Sequence, residues 1–192
     1  MPSPIGHSLA AIASGWSMAR PRRAGRDLIL QTAVFCAIGV APDLDLLWGR
    51  HSQETHSLGA ALLAGLATFV LARVLEVRTN PGRSYERSAF ARTLGVRTNL
   101  GAAILVAAVW LVHPLMDALG EDSSPPFGVM LWWPFSHASV IAPFHVFDSI
   151  YRAYWKPDFW SHNAAAAARE IVILAPILTA AWLWRRRARA QV

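Results

Sequence analysis

The sequence predicts an all-α fold, a polytopic membrane helical bundle of about 4–5 membrane-embedded segments. Three observations lead to this prediction. Hydrophobic residues make up 54% of the 192 residues and charged residues only 16%, whereas roughly 25% of an average soluble domain is charged. The apolar residues gather in long segments, and the basic residues gather in clusters beside them. The chain length suits one domain, so we expect residues 1–192 to form a single membrane-embedded unit.

Five apolar segments each predict a membrane-embedded helix: 5–19, 28–47, 57–75, 99–118 and 169–184. At about 1.5 Å per helical residue, the third and fourth approach the roughly 30 Å of a hydrocarbon core. Pro42 predicts that the second helix ends near the preceding residue, which leaves Asp43 and Asp45 in the turn beyond it. Thr55 or Ser57 is the candidate N-cap of the third helix.

Two intervening segments have different compositions. Residues 76–98 are polar and predict a loop with one short helix. Residues 119–168 are rich in Trp, Phe and Tyr, which predicts an aromatic belt at the membrane interface. The alternative is a lid or wall beside a functional site, with His137, His145 and His162 as spare ligands.

The arginines indicate how the segments are oriented. Seventeen of the 18 basic residues are Arg, and most lie in the groups 20–26, 73–97 and 185–192. Lys and Arg in short loops are retained on the cytoplasmic side of a membrane, which places 42–56 and 119–168 outside. The net charge of +6 is thereby explained by membrane topology, so we expect no nucleic-acid partner.

The ionisable residues of the apolar segments all fall at the predicted extracytoplasmic end. They are His7, Asp43, Asp45, His51, His56, His113, Asp117 and Glu170. Ionisable groups at membrane depth cost roughly 2.5–3.5 kcal/mol each on insertion scales, so a functional site is the default explanation. The purely structural alternatives are Asp residues in an ordinary turn and His–Asp pairs that hydrogen-bond to each other inside the bundle.

The residue types in this group favour metal binding. His113 and Asp117, in "VWLVHPLMDALG", are four positions apart and share one helix face. Imidazole and carboxylate donors suit zinc, with manganese or iron as alternatives, and there are enough of them for one or two ions. Cys36 is the only cysteine, which excludes an intrachain disulfide and a thiolate site. The "HSQETH" stretch has the wrong spacing for a zinc-protease helix.

These motifs, taken in order, resemble the YdjM-like family of LexA-regulated or LexA-binding inner-membrane metal-dependent hydrolases. They are His7, "PDLD" at 42–45, "HSQETHS" at 51–57, "HPLMD" at 113–117 and "WPFS" at 133–136. The resemblance covers most of the chain and implies a helical, multi-pass protein of the bacterial inner (plasma) membrane with hydrolase activity. Ser52 stands where the family has Arg, and Arg50 is the nearest substitute. A weaker likeness to zinc-dependent phospholipase C favours a phosphoester substrate.

The leading hypothesis is a membrane-bound hydrolase in which a metal-activated water attacks an ester or phosphoester of a lipid-like substrate. The predicted ligands of one or two divalent ions, zinc first, are His7, Asp43, Asp45, His56, His113 and Asp117. Asp45 or Glu170 is the predicted proton acceptor, and His51 the predicted group that contacts substrate or ligands. Membrane lipids are the expected partners. The alternative is a non-catalytic membrane protein whose structural metal site or His/Asp network serves a partner.

Overall fold

The structure is a computed structural model that describes residues 1–21, 25–49, 51–79, 88–123, 125 and 127–190. The predicted polar turn around residue 81, the basic residues Arg22 and Arg23, and Arg50 lie outside the described residues. The helices are α1 Pro4–Met18, α2 Arg26–Val40, α3 Leu58–Thr79, α4 Ala89–Leu94, α5 Asn99–Ala118 and α6 Phe159–Ala190. Two 3₁₀ turns, Ala41–Trp48 and Glu54–His56, connect α2 to α3.

The all-α membrane-bundle prediction is confirmed. The described residues contain no strand, and four helical stretches are long and apolar enough to cross a membrane: Arg26–Leu47, Leu58–Leu75, Asn99–Ala118 and Phe159–Ala188. Helix α1, with 15 residues, is about 22 Å long at 1.5 Å per residue and falls short of a full span. Among the described residues, four helices are therefore long enough to span a membrane, while α1 and the six-residue α4 are shorter.

Two predicted element boundaries agree with the structure, and the start of α6 differs. Helix α2 ends at Val40, as Pro42 predicts, but the chain continues as a 3₁₀ turn instead of leaving helical geometry. Helix α6 begins at Phe159, ten residues before the predicted start at 169. The run of alanines at 164–168 explains the extension, because Ala is the strongest helix former. Ser57 is the cap of α3, since its Oγ accepts a hydrogen bond from the Ala60 amide at 3.0 Å.

Small residues allow the helices that carry the site to approach closely. Gly39 of α2 lies against Ala11 of α1, so that a Cβ atom at position 39 would collide with the Ala11 methyl group. A Cβ atom at Gly65 of α3 would lie 2.8 Å from the Ala103 carbonyl oxygen of α5. Such contacts bring backbones together in membrane bundles, where van der Waals packing drives association. These contacts hold α2 against α1 and α3 against α5.

The segment after α5 covers one end of the bundle. It has no regular strand among its described residues, only the isolated bridges Gly120–Phe147 and Val129–Val140. Backbone hydrogen bonds fix it in place: the Leu58 amide donates to the Leu131 carbonyl at 2.9 Å, and the Ala142 amide donates to the Ala118 carbonyl at 2.7 Å. The segment is thus pinned over the start of α3 and the end of α5, beside the predicted functional residues.

Glu170 of α6 anchors the first turn of α1. Its carboxylate is fully buried and accepts hydrogen bonds from the Ser3 amide, at 2.5 Å, and from the Ser3 hydroxyl. Ser3 Oγ also accepts from the Gly6 amide at 3.3 Å, which caps α1. A carboxylate beside a helix N-terminus is stabilised by the unpaired amides there. This contact fixes the part of α1 that carries His7.

Candidate metal centre

The structure brings six of the predicted site residues into one cluster. His7 comes from α1, Asp43 from the 3₁₀ turn after α2, His51 and His56 from the connection to α3, and His113 and Asp117 from α5. Their ligand atoms form two groups, His7 with His113 and Asp117, and Asp43 with His51 and His56, within each of which all atoms lie within 4.8 Å of one another. Residues more than 100 positions apart thus share one end of the bundle.

Four donor atoms, two from each group, face a common point. His113 Nε2 lies 3.0 Å from His56 Nε2, 3.5 Å from Asp43 Oδ1 and 3.2 Å from Asp117 Oδ2. His56 Nε2 lies 3.6 Å from Asp43 Oδ1 and 3.5 Å from Asp117 Oδ2. The two nitrogens and two oxygens therefore outline a small polyhedron whose measured edges are 3.0–3.6 Å.

This polyhedron fits a tetrahedral zinc site. Zinc binds imidazole nitrogen and carboxylate oxygen at about 2.0–2.2 Å, so neighbouring ligands of a tetrahedron are separated by about 3.3–3.5 Å. Five of the six edges defined by the four donors are measured and lie close to that spacing. The residues present can therefore hold a divalent cation with little rearrangement.

Asp117 lies between this tetrahedron and His7. Its Oδ2 is part of the tetrahedron, while its Oδ1 lies 3.3 Å from His7 Nε2. Neither carboxylate oxygen has a hydrogen-bond partner within the described part of the chain, although both are fully buried. A buried carboxylate without donors is costly unless a cation compensates it. His7 Nε2 and Asp117 Oδ1 would be the donors available to a second ion.

Asp45, predicted as a ligand, lies behind the imidazoles. Its Oδ1 is 3.1 Å from His51 Nδ1 and its Oδ2 is 3.2 Å from His56 Nδ1. The Thr55 hydroxyl donates to Asp45 Oδ2 at 2.6 Å and fixes the carboxylate. A carboxylate that accepts the Nδ1 proton of an imidazole leaves Nε2 unprotonated for a metal and orients the ring. The contacts of Asp45 are those of a group that orients the ligands.

The backbone of Gly39 gives His113 the same support. His113 Nδ1 donates to the Gly39 carbonyl oxygen at 2.7 Å, which leaves Nε2 as the free lone pair. This carbonyl is accessible because α2 changes to 3₁₀ geometry at Ala41, so that the usual partner of the Gly39 carbonyl is displaced. The carbonyl that orients the His113 imidazole therefore belongs to the same residue at which α1 packs closely on α2.

His51 connects the cluster to a neighbouring cation. A guanidinium only donates hydrogen bonds, so His51 Nε2 accepts from Arg152 Nη2 at 2.6 Å. Its Nδ1 then carries the proton and points to Asp45, 3.1 Å away. The guanidinium beside this motif comes from the segment after α5. Ser52, at the position where the resembled family has Arg, is buried, and its hydroxyl donates a hydrogen bond to the Met1 sulfur.

The charge balance of the cluster favours a cation. Burial alone would lower the pKa of the His56 imidazole, but the contacts with Asp43 and Asp45 and the nearby charge of Asp117 raise the pKa above its ordinary value. His56 lies in the turn between two spanning helices. The carboxylates that raise this pKa would also stabilise a divalent ion at the same position.

Among the described residues, the exposed side of the cluster is the side of Asp43 and His51. The side chains of His7, Asp45, His56, His113 and Asp117 are at most 2% exposed. Asp43 is 22% exposed and His51 is 15% exposed. A cavity of about 350 Å³, lined by His51 among others, lies on that side. The cluster can therefore be reached at Asp43 and His51.

The remaining predicted residues lie apart from the cluster. Glu170 makes its hydrogen bonds to Ser3. His162 donates from Nε2 to the Ser149 carbonyl at 2.7 Å, and His137 and His145 are exposed. Asp45, Glu170 and His51 stay predictions as catalytic residues, as does metal binding by the clustered side chains.

Sequence reasoning missed three groups that support the site. The sequence marks Thr55 as a candidate helix cap, and its place within "HSQETHS" is the signal for a hydrogen bond to a motif carboxylate. The Gly39 carbonyl carries no sequence signal, because any residue has one. Arg152 lies 101 residues from His51, and no spacing rule predicts that contact.

Comparison with known proteins identifies the family. The family described as YdjM inner membrane protein matches residues 1–190. Neither the curated proteins nor the solved structures provide a match. The family match, together with four apolar helices long enough to span a membrane, indicates a multi-pass inner membrane protein. The chain belongs to the family of YdjM inner membrane proteins.

Proposed function

We propose that this protein is a membrane-embedded, metal-dependent hydrolase that cleaves an ester or phosphoester bond of a lipid-like substrate. The observation that carries the proposal is the set of four donor atoms of Asp43, His56, His113 and Asp117, with measured edges of 3.0–3.6 Å. Zinc is the ion that this N/O set suits best, and manganese or iron are the alternatives. His7 and Asp117 Oδ1 provide for a second ion.

Each supporting residue has a role in this proposal. Asp45 and the Gly39 carbonyl hold the Nδ1 protons of His56 and His113, so that both Nε2 atoms face the ion. A divalent ion at this position would lower the pKa of a water molecule and polarise the scissile bond. His51, on the exposed side of the cluster, is positioned to contact the substrate and to pass a proton to Asp45. Glu170 we assign to holding α1, because its hydrogen bonds go to Ser3.

The surroundings of the site support a lipid substrate. The segment that covers this end of the bundle exposes large aromatic side chains; Trp132, Phe135, Tyr154, Trp155 and Trp160 are each more than half exposed. Trp and Tyr are enriched at the membrane–water interface, where one part of the ring is wet and the other apolar. A site at that depth meets lipid headgroups and the bonds that attach them. Membrane lipids are therefore the proposed partners.

The proposal includes an orientation. The end of the bundle opposite the site carries Arg20, Arg92, Arg97 and Arg185, among the described basic residues. Because such residues are retained in the cytoplasm, the site would face the extracytoplasmic side. Labelling of single cysteines in intact cells tests this: with Cys36 replaced by Ser, a cysteine at exposed Ala138 should react with a membrane-impermeant maleimide. A cysteine at exposed Arg97 should react only after lysis, and the reverse pattern would overturn the orientation.

Metal analysis and a hydrolysis screen test the main proposal together. Purified protein should contain about one or two equivalents of a divalent metal by mass spectrometry and should cleave a lipid phosphoester or a generic ester. A chelator should abolish turnover, and added zinc or manganese should restore it. The His113→Ala/Asp117→Ala double variant should lose both metal and turnover, while the exposed-histidine control His137→Ala should keep both. Wild-type protein with no more metal than the double variant would overturn the proposal.

A non-catalytic metal site is the second candidate, and burial favours it. His56, His113 and Asp117 are nearly inaccessible, as in structural sites whose ligands saturate the ion. Cobalt substitution separates the two candidates, because the visible spectrum of tetrahedral Co²⁺ changes when an exogenous anion replaces a water ligand. A spectrum that shifts on addition of phosphate supports catalysis, and one that stays unchanged supports a structural or partner-serving role.

A further inference from the structure

The cavity beside the metal centre has the size and position of a substrate subsite. Its volume is about 350 Å³, and it lies between the turn around His51 and the stretch that contains Tyr151, Arg152 and Lys156. Small-molecule sites occupy about 300–1,000 Å³. His51 forms part of the wall and also faces Asp45 of the metal cluster at 3.1 Å. His51 therefore lies between a molecule in the cavity and Asp45.

The charged groups of this cavity favour an anion. Among the described lining residues, Arg152 and Lys156 have the cationic side chains, and Asp122 has the acidic one. The Asp122 carboxylate accepts a hydrogen bond from the Gly128 amide at 2.8 Å, and this bond holds the carboxylate against its own loop. Two cationic side chains that can both reach the cavity therefore outnumber the single carboxylate.

Contacts with neighbours hold the two cations in place. Lys156 Nζ lies 3.7 Å from the centre of the Tyr151 ring, a cation–π contact. The Tyr151 ring stacks on His162, with centroids 3.7 Å apart, and His162 is fixed by its hydrogen bond to the Ser149 carbonyl. Arg152 is fixed by donating to His51. A guanidinium has five N–H donors, so Arg152 can hold His51 and bind an oxyanion simultaneously.

We infer that this cavity binds a phosphate group of the substrate through Arg152 and Lys156, and that the substrate is a phosphate-bearing molecule instead of a neutral ester. That the bound molecule is a substrate rests on the proposed function. The binding itself involves Arg152 and Lys156, which lie outside the metal cluster. Arg pairs with phosphate through two parallel N–H donors, and Lys adds a compact charge. Arg152 also connects the two sites, because a phosphate that engages it alters the partner of His51 Nε2.

Binding of short-chain lipids to the purified full-length protein tests the inference. The probes are dioctanoyl phosphatidate, dioctanoyl phosphatidylcholine, dioctanoylglycerol and inorganic phosphate, each titrated in detergent micelles with tryptophan fluorescence as the readout. Phosphatidate should bind at least about tenfold more tightly than dioctanoylglycerol. Inorganic phosphate that binds as tightly as phosphatidate would show that a free phosphate is sufficient, and weaker binding of inorganic phosphate would show that the lipid contributes; both results support a phosphate subsite.

Variants identify the residues responsible. Lys156→Gln should weaken phosphatidate binding without touching His51, and Arg152→Gln/Lys156→Gln should weaken it by about tenfold or more. Arg152→Lys keeps the charge but loses the planar fork, so its affinity should lie between those of wild type and Arg152→Gln. Arg169→Gln is the matched control, since Arg169 is an exposed cation near the same end, paired with Asp148 outside the cavity. Its affinity should stay within about twofold of wild type.

Repeating the titrations with metal-loaded and chelator-treated protein separates the two proposals. Weakened phosphatidate binding in Arg152→Gln/Lys156→Gln with unchanged metal content supports the subsite. Phosphatidate binding that is equal in wild type and this double variant, or equal for phosphatidate and dioctanoylglycerol, overturns the subsite and leaves the metal centre standing. A protein that takes up no metal but still binds phosphatidate through Arg152 and Lys156 retains the anion site and overturns the hydrolase.

Discussion

The Nε2 atoms of His56 and His113 lie 3.0 Å apart, and the carboxylates of Asp43 and Asp117 lie within 3.6 Å of both. Their Nδ1 atoms are already directed at Asp45 and at the Gly39 carbonyl. Two imidazole lone pairs that face each other repel unless a proton or a cation lies between them. This relationship is the strongest structural indication of a metal centre in the protein.

Loss of either imidazole should therefore remove the metal. We expect His56→Ala and His113→Ala each to reduce bound divalent metal at least about tenfold, because a zinc tetrahedron loses one of its donors. Mass spectrometry of purified, buffer-exchanged protein gives the metal content directly. His145→Ala is the control, since His145 is exposed and lies apart from the cluster. Metal content that is equal in all three variants would contradict the assignment of these ligands.

Removal of the charge behind the imidazoles should weaken metal binding without abolishing it. Asp45→Asn keeps the size of the side chain but loses the carboxylate that faces His51 and His56. We expect metal affinity to fall by about 10–100-fold, the usual effect of losing a group that orients metal ligands. Competition with a chromogenic chelator measures this affinity. Asp148→Asn, which alters an exposed carboxylate paired with Arg169, should leave affinity unchanged, and the same loss in both variants would indicate a general charge effect.

A methyl group at position 39 should disturb both helix packing and the site. In Gly39→Ala the new Cβ collides with the Ala11 methyl and lies 3.1 Å from the His7 carbonyl. Overpacking of this kind costs about 1–3 kcal/mol, and separation of α1 from α2 also moves the carbonyl that orients His113. We expect a lower thermal unfolding midpoint in detergent together with reduced metal content.

The matched control for this variant is Gly101→Ala in α5. A Cβ there lies 3.2 Å from the hydroxyl of Thr98, the N-cap of α5, which needs to shift only slightly, and Ala is favoured over Gly in a helix by up to about 1 kcal/mol. Its stability should be unchanged or slightly higher and its metal content normal. If Gly39→Ala behaved in the same way, the close contact between α1 and α2 would have no role in forming the site.

A buried polar chain at the opposite end should affect stability alone. Gln31 accepts a hydrogen bond from Arg185 at 2.7 Å and donates to the Leu94 carbonyl at 2.9 Å. Gln31→Leu leaves a buried carbonyl and a buried guanidinium with one partner fewer, which costs about 1–3 kcal/mol. Thermal unfolding should show this loss while metal content stays at the wild-type level. A simultaneous loss of metal would mean that the two ends of the bundle are coupled.

The stability of the segment that covers the site should depend on pH through Glu121. The backbone amide of Ser149, followed by its hydroxyl, lowers the pKa of the Glu121 carboxyl by donating hydrogen bonds to it. A lowered folded-state pKa contributes stability above the ordinary glutamate value, about 4.3, and this contribution disappears as the pH falls through the folded-state value. The unfolding midpoint of wild type should therefore exceed that of Glu121→Gln at neutral pH, and the difference should close under acid. A difference that is constant with pH would contradict this assignment.

Much of the fold was predictable from local sequence. Long apolar segments predict spanning helices because a membrane requires apolar length and internally satisfied backbone groups, and Pro42 correctly indicated the end of α2. The start of α6 was misplaced by ten residues, because the apolar stretch begins later than the helix does. An exposed Ala-rich helical turn and a membrane-embedded one differ in hydropathy but not in backbone geometry.

The sequence by itself determined which residues could belong to the site: His7, the Pro-Asp-Leu-Asp turn, His56, and the His113/Asp117 pair on one helix face. Only the tertiary structure decided their arrangement. It placed Asp45 behind the imidazoles, brought Arg152 to His51 and directed Glu170 to Ser3. The physical reason is that spacing along one helix fixes which side chains share a face, whereas contacts between distant segments depend on how closely the helices pack. That packing is set here by Gly39 against Ala11 and by Gly65 against α5.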